Sequence, residues 1–210
     1  LSVLLVSSAY FLMPKLQQDV AILVLGKGGE GHTAPNLTDT IMVMYFNENK
    51  NKTTIFSLPR DIWISEIRAK LNTAYHYGGF KMASDSVYTV TGIKIDNTVV
   101  IDFSLFKDLI DSIGGINVNV EKDFIDEKYP IAGLENDLCN GDKLFNCRYE
   151  TLRFAQGEQQ MNGGIALKFV RSRNAKDDEG TDLAREKRQQ KVILALKQKL
   201  LSKDVIFSPT

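Results

Sequence analysis

Four arginines stand at the ends of sequence elements rather than within them: Arg60, Arg171, Arg173 and Arg185. Arg60 and Asp61 follow an apolar, strand-like run in SLPRD, where Pro59 stops the strand and leaves two charges at a sheet edge, the usual place for a cleft. Arg171 and Arg173 are two apart in ALKFVRSR, a segment that reads as a strand, and alternation turns both guanidinium groups to one side. Asp182, Arg185 and Gln189 are spaced by three and four, which places them on one helical face near its N-terminal end. The same face continues through Val192, Ile193, Leu196 and Leu200, so the stripe is polar at its start and core-like beyond. Arginines gathered with a helix N-terminus describe an anion site, most simply for phosphate or pyrophosphate, which suits the planar guanidinium fork. The competing reading of residues 171–191 is a solvated surface, because Asp177, Asp178, Glu179 and Glu186 are mixed among the bases.

Other groups are open to two readings. Asp39, in LTDTIMV, is either a turn residue or a carboxylate for a metal or for proton transfer. Lys70 and Asn72 open a helix after Trp63, where Asn72 alone reads as a cap. His32 lies in a glycine loop and His76 in a helix, and a lone histidine is more often structural than catalytic. No Ser-His-Asp arrangement stands out. Gly26, Gly28 and Gly31 match G-x-G-x-x-G after a strand, but Pro35 and the next strand follow too soon for the crossover helix that a dinucleotide site needs. No Lys-Ser/Thr pair completes a P-loop.

The elements that must position these residues follow from periodicity. Residues 20–26, 40–47, 52–58 and 98–103 read as strands, with 40–47 and 52–58 joined as an antiparallel hairpin. Short helices are expected over 69–77 and 84–91, either side of Gly78 and Gly79, and another over 104–112 before the Gly114–Gly115 pair. INVNV at 116–120 alternates as a half-exposed strand, residues 121–160 read as loop-rich with a small hairpin near the cysteines, and the last element is a helix over about 183–201. Strands and helices alternate, so the expected class is α/β, with a mixed sheet between helical layers.

Composition bounds the rest. The chain has 210 residues, 43% hydrophobic and 25% charged, which excludes a disordered, fibrous or polytopic membrane protein. Lys plus Arg and Asp plus Glu are 26 each, so whole-chain charge gives no support to nucleic-acid binding. The chain opens on Leu1, and the uncharged run LSVLLVSSAYFLMP at 1–14 is expected to be the outer end of a transmembrane helix from a longer polypeptide. Packing on the core, or a signal peptide, are the competing readings. Cys139 and Cys147 lack a metal-site partner and are expected to form a short-loop disulfide, with two free thiols as the alternative; a bridge argues for an oxidising compartment.

Seven motifs then occur in one order: TDTIMV, SLPRDIW, KLNTAYHYGG, VVIDF, LIDSIGGINVNV, ALKFVRSR and DLAREKRQQ. Their order over about residues 20–201 resembles the LytR-CpsA-Psr family of bacterial envelope phosphotransferases. The resemblance implies a single α/β/α sandwich over 15–210, with a central mixed sheet and an apolar lipid-binding pocket for a polyprenyl chain. It implies transfer of a glycan phosphate from a polyprenyl-pyrophosphate carrier to peptidoglycan, outside the cytoplasm, by a domain held at the membrane by an N-terminal helix. It also implies magnesium, with Asp39 as its carboxylate. Carried over by motif, Arg60, Asp39, Arg171 and Arg173 take catalytic roles. Asp61, Lys70, Asn72, Asp182, Arg185 and Gln189 take substrate-binding ones. The sequence departs from the family at two points: Lys27 and Gly28 stand where the family usually has an Asp, and Leu37 where it has an Arg two positions before the acidic residue. One metal or phosphate ligand of the family is therefore missing, or is replaced by His32 or Glu30. A non-enzymatic binder of lipid-linked glycan or a regulator, and a polyprenyl-pyrophosphate hydrolase, are the rival readings.

Overall fold

The computed structural model describes residues 19–29, 34–47, 50, 52–200 and 202. The expected membrane segment at 1–14, and Glu30 and His32, lie outside the described residues. No helix among the described residues is long and apolar enough to cross a membrane. The chain divides into two compact units, one built from residues up to Leu25 with Thr38–Val100, the other from Gly26–Leu37 with residues from Ile101 onward.

In the first unit, β1 (Val20–Lys27) is followed by β2 (Thr38–Asn47) and β3 (Lys52–Ser57). Short strands β4 (Trp63–Ile64) and β5 (Ala69–Lys70) come next, then helix α1 (Ala74–Thr91) and strand β6 (Asn97–Asp102). The main sheet has the order β3-β2-β1-β6. Strands β2 and β3 form the expected antiparallel hairpin, in register from Met42 opposite Ser57 to Asn47 opposite Lys52. Burial alternates along β1, where Ala21, Leu23 and Leu25 are buried. Leu23 and Leu25 pack with Ile41, Val43, Ile64, Leu71, Ala74, Ala83 and Val87 as the core of this unit.

The region expected as a helix from residue 69 is more varied. Residues 69 and 70 pair with β4, Trp63 opposite Lys70, and Leu71–Thr73 form a single 3-10 turn before α1 begins. Asn72 therefore lies inside that turn and is not a cap. Gly78 and Gly79 leave helical geometry within α1, as the glycine pair suggested, so the helix is kinked there.

The second unit contains α2 (Phe103–Ser112), β7 (Ile116–Val120), β8 (Phe124–Pro130), β9 (Tyr149–Phe154), β10 (Gly157–Met161), α3 (Gly163–Arg171) and α4 (Asp182–Leu200). Residues 121–160 are thus richer in strand than expected. Antiparallel β8–β9 flanks the cysteine loop, the hairpin foreseen near the cysteines, while β10 pairs with β7 from Gly157 opposite Val120 to Met161 opposite Ile116. The signal was alternation: Ile116, Val118 and Val120 are buried, as are Phe124 and Asp126. The core of this unit joins those apolar residues to Phe154, Met161, Phe169, Val192 and Ala195.

The expected strand at 166–173 is a helix. Ala166, Phe169 and Val170 are the buried positions, spaced by three and four, and the Asn162 side chain accepts the Ile165 N–H at 2.8 Å as an N-cap. The capping Asn four positions before Ala166 was the missed cue. Gly163 is required where α3 meets α2, because a Cβ there would strike the Lys107 backbone carbonyl. On α4 the buried face is Arg185, Arg188, Val192 and Ala195, whereas Leu200, expected in the core, is exposed. Thr181 caps this helix, its hydroxyl accepting the Ala184 N–H at 3.2 Å.

Cys139 and Cys147 are bridged, with Cα atoms 5.5 Å apart and eight residues of separation. The loop is also held by Asp142, whose carboxylate accepts the N–H groups of Leu144 and Asn146; these two bonds keep it below the usual carboxylate range. Replacing both cysteines by Ser should cost about 2.5 kcal/mol from the loop-closure entropy alone. Urea unfolding checks this, and equal stability of the variant and the parent would contradict it.

Candidate functional site

In the first unit, Pro59 begins a turn closed by the Ile62 N–H on its carbonyl at 3.2 Å, which exposes Arg60 and Asp61 beyond the sheet hairpin. Backbone bonds fix this turn against the 3-10 segment: the Asn72 N–H donates to Arg60 O at 3.1 Å and the Leu71 N–H to Ile62 O at 2.8 Å. The Thr38 hydroxyl donates to Asn72 O at 3.1 Å and so ties in the start of β2, where Asp39 lies. The β4–β5 pairing carries Lys70 to the same place.

The result is a chain of alternating charges. Arg60 forms an ion pair through Nη1 with Asp39 and through Nε with Asp61 at 3.5 Å, and Lys70 Nζ meets the other oxygen of Asp61 at 2.6 Å. The structure thus brings Asp39, Arg60, Asp61, Lys70 and Asn72 together. Asn72 is 8% exposed, and its Oδ1 is buried without a hydrogen-bond partner. Leaving such an acceptor unmade costs about 1–3 kcal/mol, which marks a place where a donor is missing.

Lys70, aided by Arg60, holds the Asp61 carboxyl below its ordinary value. Asp61 is therefore a weak proton acceptor. Because the folded value is lowered, the stability this cluster lends is present above the ordinary carboxylate range and is lost as pH falls through the lowered one. Lys70→Met should raise the Asp61 titration midpoint toward the ordinary value, as followed by carboxyl carbon NMR. An unmoved midpoint would contradict the assignment.

In the second unit, Arg171 is the last residue of α3. Its guanidinium lies 4.2 Å from the Phe103 ring centroid, and its Nη1 donates to Tyr129 Oη at 3.3 Å. Burial pushes the Tyr129 hydroxyl up, with Arg171 opposing the shift. Arg173 follows on an extended segment, so the shared direction expected from strand alternation does not apply to the pair. Asp182 joins it to α4: one carboxylate oxygen takes Arg173 Nη2 at 3.1 Å and Arg185 Nη2 at 3.3 Å. Arg185 is buried and Arg173 half-exposed. Gln189 lies a turn further along α4 and is half-buried. The helical face read from the sequence is therefore present, and it does meet the Arg-x-Arg segment.

Sequence reasoning missed three residues. Arg188, 3% exposed, donates from Nε to Phe169 O, from Nη1 to the backbone and side chain of Glu179, and from Nη2 to Ser172 O, all within 3.0 Å. Its guanidinium lies 4.9 Å from the Phe124 centroid, and burial lowers its basicity against the pull of Glu179. Asp126 is fully buried, and Tyr129 nearly so. Arg188 was signalled by its place three residues after Arg185 on the buried face of the helix. Asp126 was signalled by its alternation with Phe124.

Asp39 offers a hard carboxylate oxygen, the donor class that magnesium takes. Among the described residues, the one group of three candidate ligand residues is Asp137, Cys139 and Cys147, and its sulfurs are bridged. A magnesium ion at Asp39 would accordingly take its remaining ligands from water and phosphate.

The elements and side chains define α/β architecture in which Arg60, Arg173 and Arg185 are held by carboxylates and Arg171 by Tyr129. The model of the LytR_cpsA_psr family matches residues 6–209, and the chain belongs to that family. It is 30% identical over 192 residues to the polyisoprenyl-teichoic acid–peptidoglycan teichoic acid transferase TagU of Enterococcus faecalis, covering 89% of this chain and 55% of that protein. It is 34% identical over 179 residues to biofilm regulatory protein A of Streptococcus mutans, covering 80% of this chain and 40% of that protein. The crystal structure of Bacillus subtilis TagV superposes with a TM-score of 0.65 at 27% identity, over 89% of this chain and 66% of the other. The chain spans about half the length of the curated relatives it matches.

Proposed function

We propose that this domain transfers a glycan phosphate from a polyprenyl-pyrophosphate carrier to a hydroxyl of peptidoglycan, attaching a teichoic acid-like or capsular polymer to the cell wall. The observation that carries the reading is the Asp182 carboxylate holding Arg173 beside Arg185, two residues from the ring-stacked Arg171. Family membership and the transferase names of relatives such as TagU support it.

The acceptor hydroxyl attacks the phosphorus next to the sugar. A new P–O bond forms, the bond to the bridging oxygen breaks, and polyprenyl phosphate leaves. Arg171, Arg173 and Arg185 bind the two phosphates and stabilise the charge developing on the equatorial and leaving oxygens, and Arg60 of the first unit takes the catalytic role that its family motif implies. The hydroxyl proton passes to a carboxylate, Asp39 or Asp61. Asp61 and Lys70 hold Arg60 in place, and Asn72 Oδ1 accepts a hydrogen bond from a sugar hydroxyl or a bound water. Gln189 adds a polar contact on the Arg185 face. Magnesium, bound at Asp39, would supply charge neutralisation on the phosphates. The reading also calls for an apolar pocket to receive the polyprenyl chain, and for a membrane anchor that holds the domain on the extracytoplasmic side. The Cys139–Cys147 bridge supports an oxidising location.

A regulatory reading is favoured by the name of the S. mutans relative and by the departures at Lys27, Gly28 and Leu37. Native mass spectrometry with a short polyprenyl-pyrophosphate glycan tests the catalytic reading's first requirement. Binding by the parent that is abolished in Arg171→Ala is expected, and equal binding by both would overturn this placement of the pyrophosphate.

A further inference from the structure

Strand β8 carries an irregularity that serves the arginine pair. Its pairing with β9 runs in register from Phe124 opposite Phe154 to Asp126 opposite Leu152, then shifts before Tyr129 opposite Glu150. Residues 126 and 129 are an odd number apart, so a regular strand would turn them to opposite faces. The shift turns both inward: Asp126 is 0% exposed and Tyr129 4%.

These two residues meet the C-terminal end of α3 from the same strand. Asp126 Oδ2 accepts the Ser172 hydroxyl at 2.7 Å, the Arg173 N–H at 3.1 Å and the Asn174 N–H at 3.2 Å, while its Oδ1 accepts the Lys128 N–H at 3.0 Å. Asp126 also bridges to Ala175 in antiparallel fashion, and the Asn174 side chain donates to Lys128 O at 2.9 Å. Tyr129 Oη meanwhile holds the Arg171 guanidinium. One carboxylate thus fixes the backbone between the two arginines, and the next inward residue fixes the first arginine's head.

We propose that Asp126 is a positioning residue for phosphate transfer: its carboxylate, set inward by the β8 irregularity, locks residues 172–174 and so aims Arg171 and Arg173 at the pyrophosphate. It touches no substrate. The proposal rests on the functional reading above for what the arginines bind, but the geometry it asserts is separate from it.

Asp126→Asn keeps the shape, while its amide nitrogen cannot accept all the bonds that the two oxygens share. Ser172→Ala removes one donor and leaves Asp126 intact. Both variants are compared with the parent by circular dichroism, by the arginine Nε–Hε signals in nitrogen-15 NMR, and by binding of inorganic pyrophosphate. The expected result is a native spectrum, displaced Arg171 and Arg173 signals, and pyrophosphate affinity at least tenfold weaker in Asp126→Asn and a few-fold weaker in Ser172→Ala. Signals and affinity equal to the parent's, with only a lower melting temperature, would overturn the proposal, because that is what a purely structural carboxylate gives. Should Asp126→Asn fail to fold, the Ser172→Ala signals decide alone, and unmoved ones overturn it. A parent that binds no pyrophosphate sinks the functional reading, and the arginine signals still decide the positioning role.

Discussion

Arg60→Ala is expected to lower glycan transfer by roughly 10²–10³-fold, the usual cost of removing one preorganised group that stabilises developing charge. The expectation rests on how Arg60 is held. Asp39 and Asp61 flank it, Asn72 and the Pro59 turn fix its backbone, and about a third of its side chain stays open to a ligand. Its ion pairs are part-exposed, so removing them should cost at most about 1 kcal/mol of stability. The variant should therefore fold normally and fail in transfer. Arg60→Lys should recover only part of the activity, since an ammonium cannot reproduce the two-armed contact. Steady-state transfer rates with thermal melts of both variants check this. Near-parental turnover in Arg60→Ala would remove Arg60 from the chemistry.

The second large effect is on stability. Arg188→Met should destabilise the domain by about 3 kcal/mol, because it leaves Glu179 without its buried cation and three backbone carbonyls without their donor. The carbonyls belong to Phe169, Ser172 and Glu179, so the effect falls on the end of α3 and on the turn before α4. A methionine fills the space beside Phe124 and Phe169 but restores none of these bonds. Urea unfolding gives the difference. A change below about 0.5 kcal/mol, the range of ordinary surface substitutions, would contradict the account of Arg188 as the tie between these segments.

Much of the fold was legible because hydrophobic period is a local signal. The β2–β3 hairpin, the strand at 116–120 and the terminal helix follow from it, and the kink at Gly78–Gly79 from the glycine pair itself. ALKFVRSR was misread because its branched and aromatic residues resemble a strand, while its helical character lies in the Asn162 cap outside the motif. The site was legible in part. Asp39, Arg60, Asp61 and Lys70, read from three separate motifs, are joined in one ion-pair chain, and Arg173, Asp182 and Arg185, read from two, in another. Spacing signals that Asp126 and Arg188 face inward but not what they hold, because their partners are mostly backbone groups, and which carbonyl or N–H a side chain meets is decided by tertiary packing alone.

The most direct test of the central claim is product analysis. The full-length protein is incubated with a polyprenyl-pyrophosphate-linked glycan and a peptidoglycan oligomer, and the products are resolved by mass spectrometry. The account predicts glycan joined to peptidoglycan through a phosphodiester, with polyprenyl phosphate released in equal amount. Free sugar phosphate in place of the joined product, or an unchanged substrate, would contradict it.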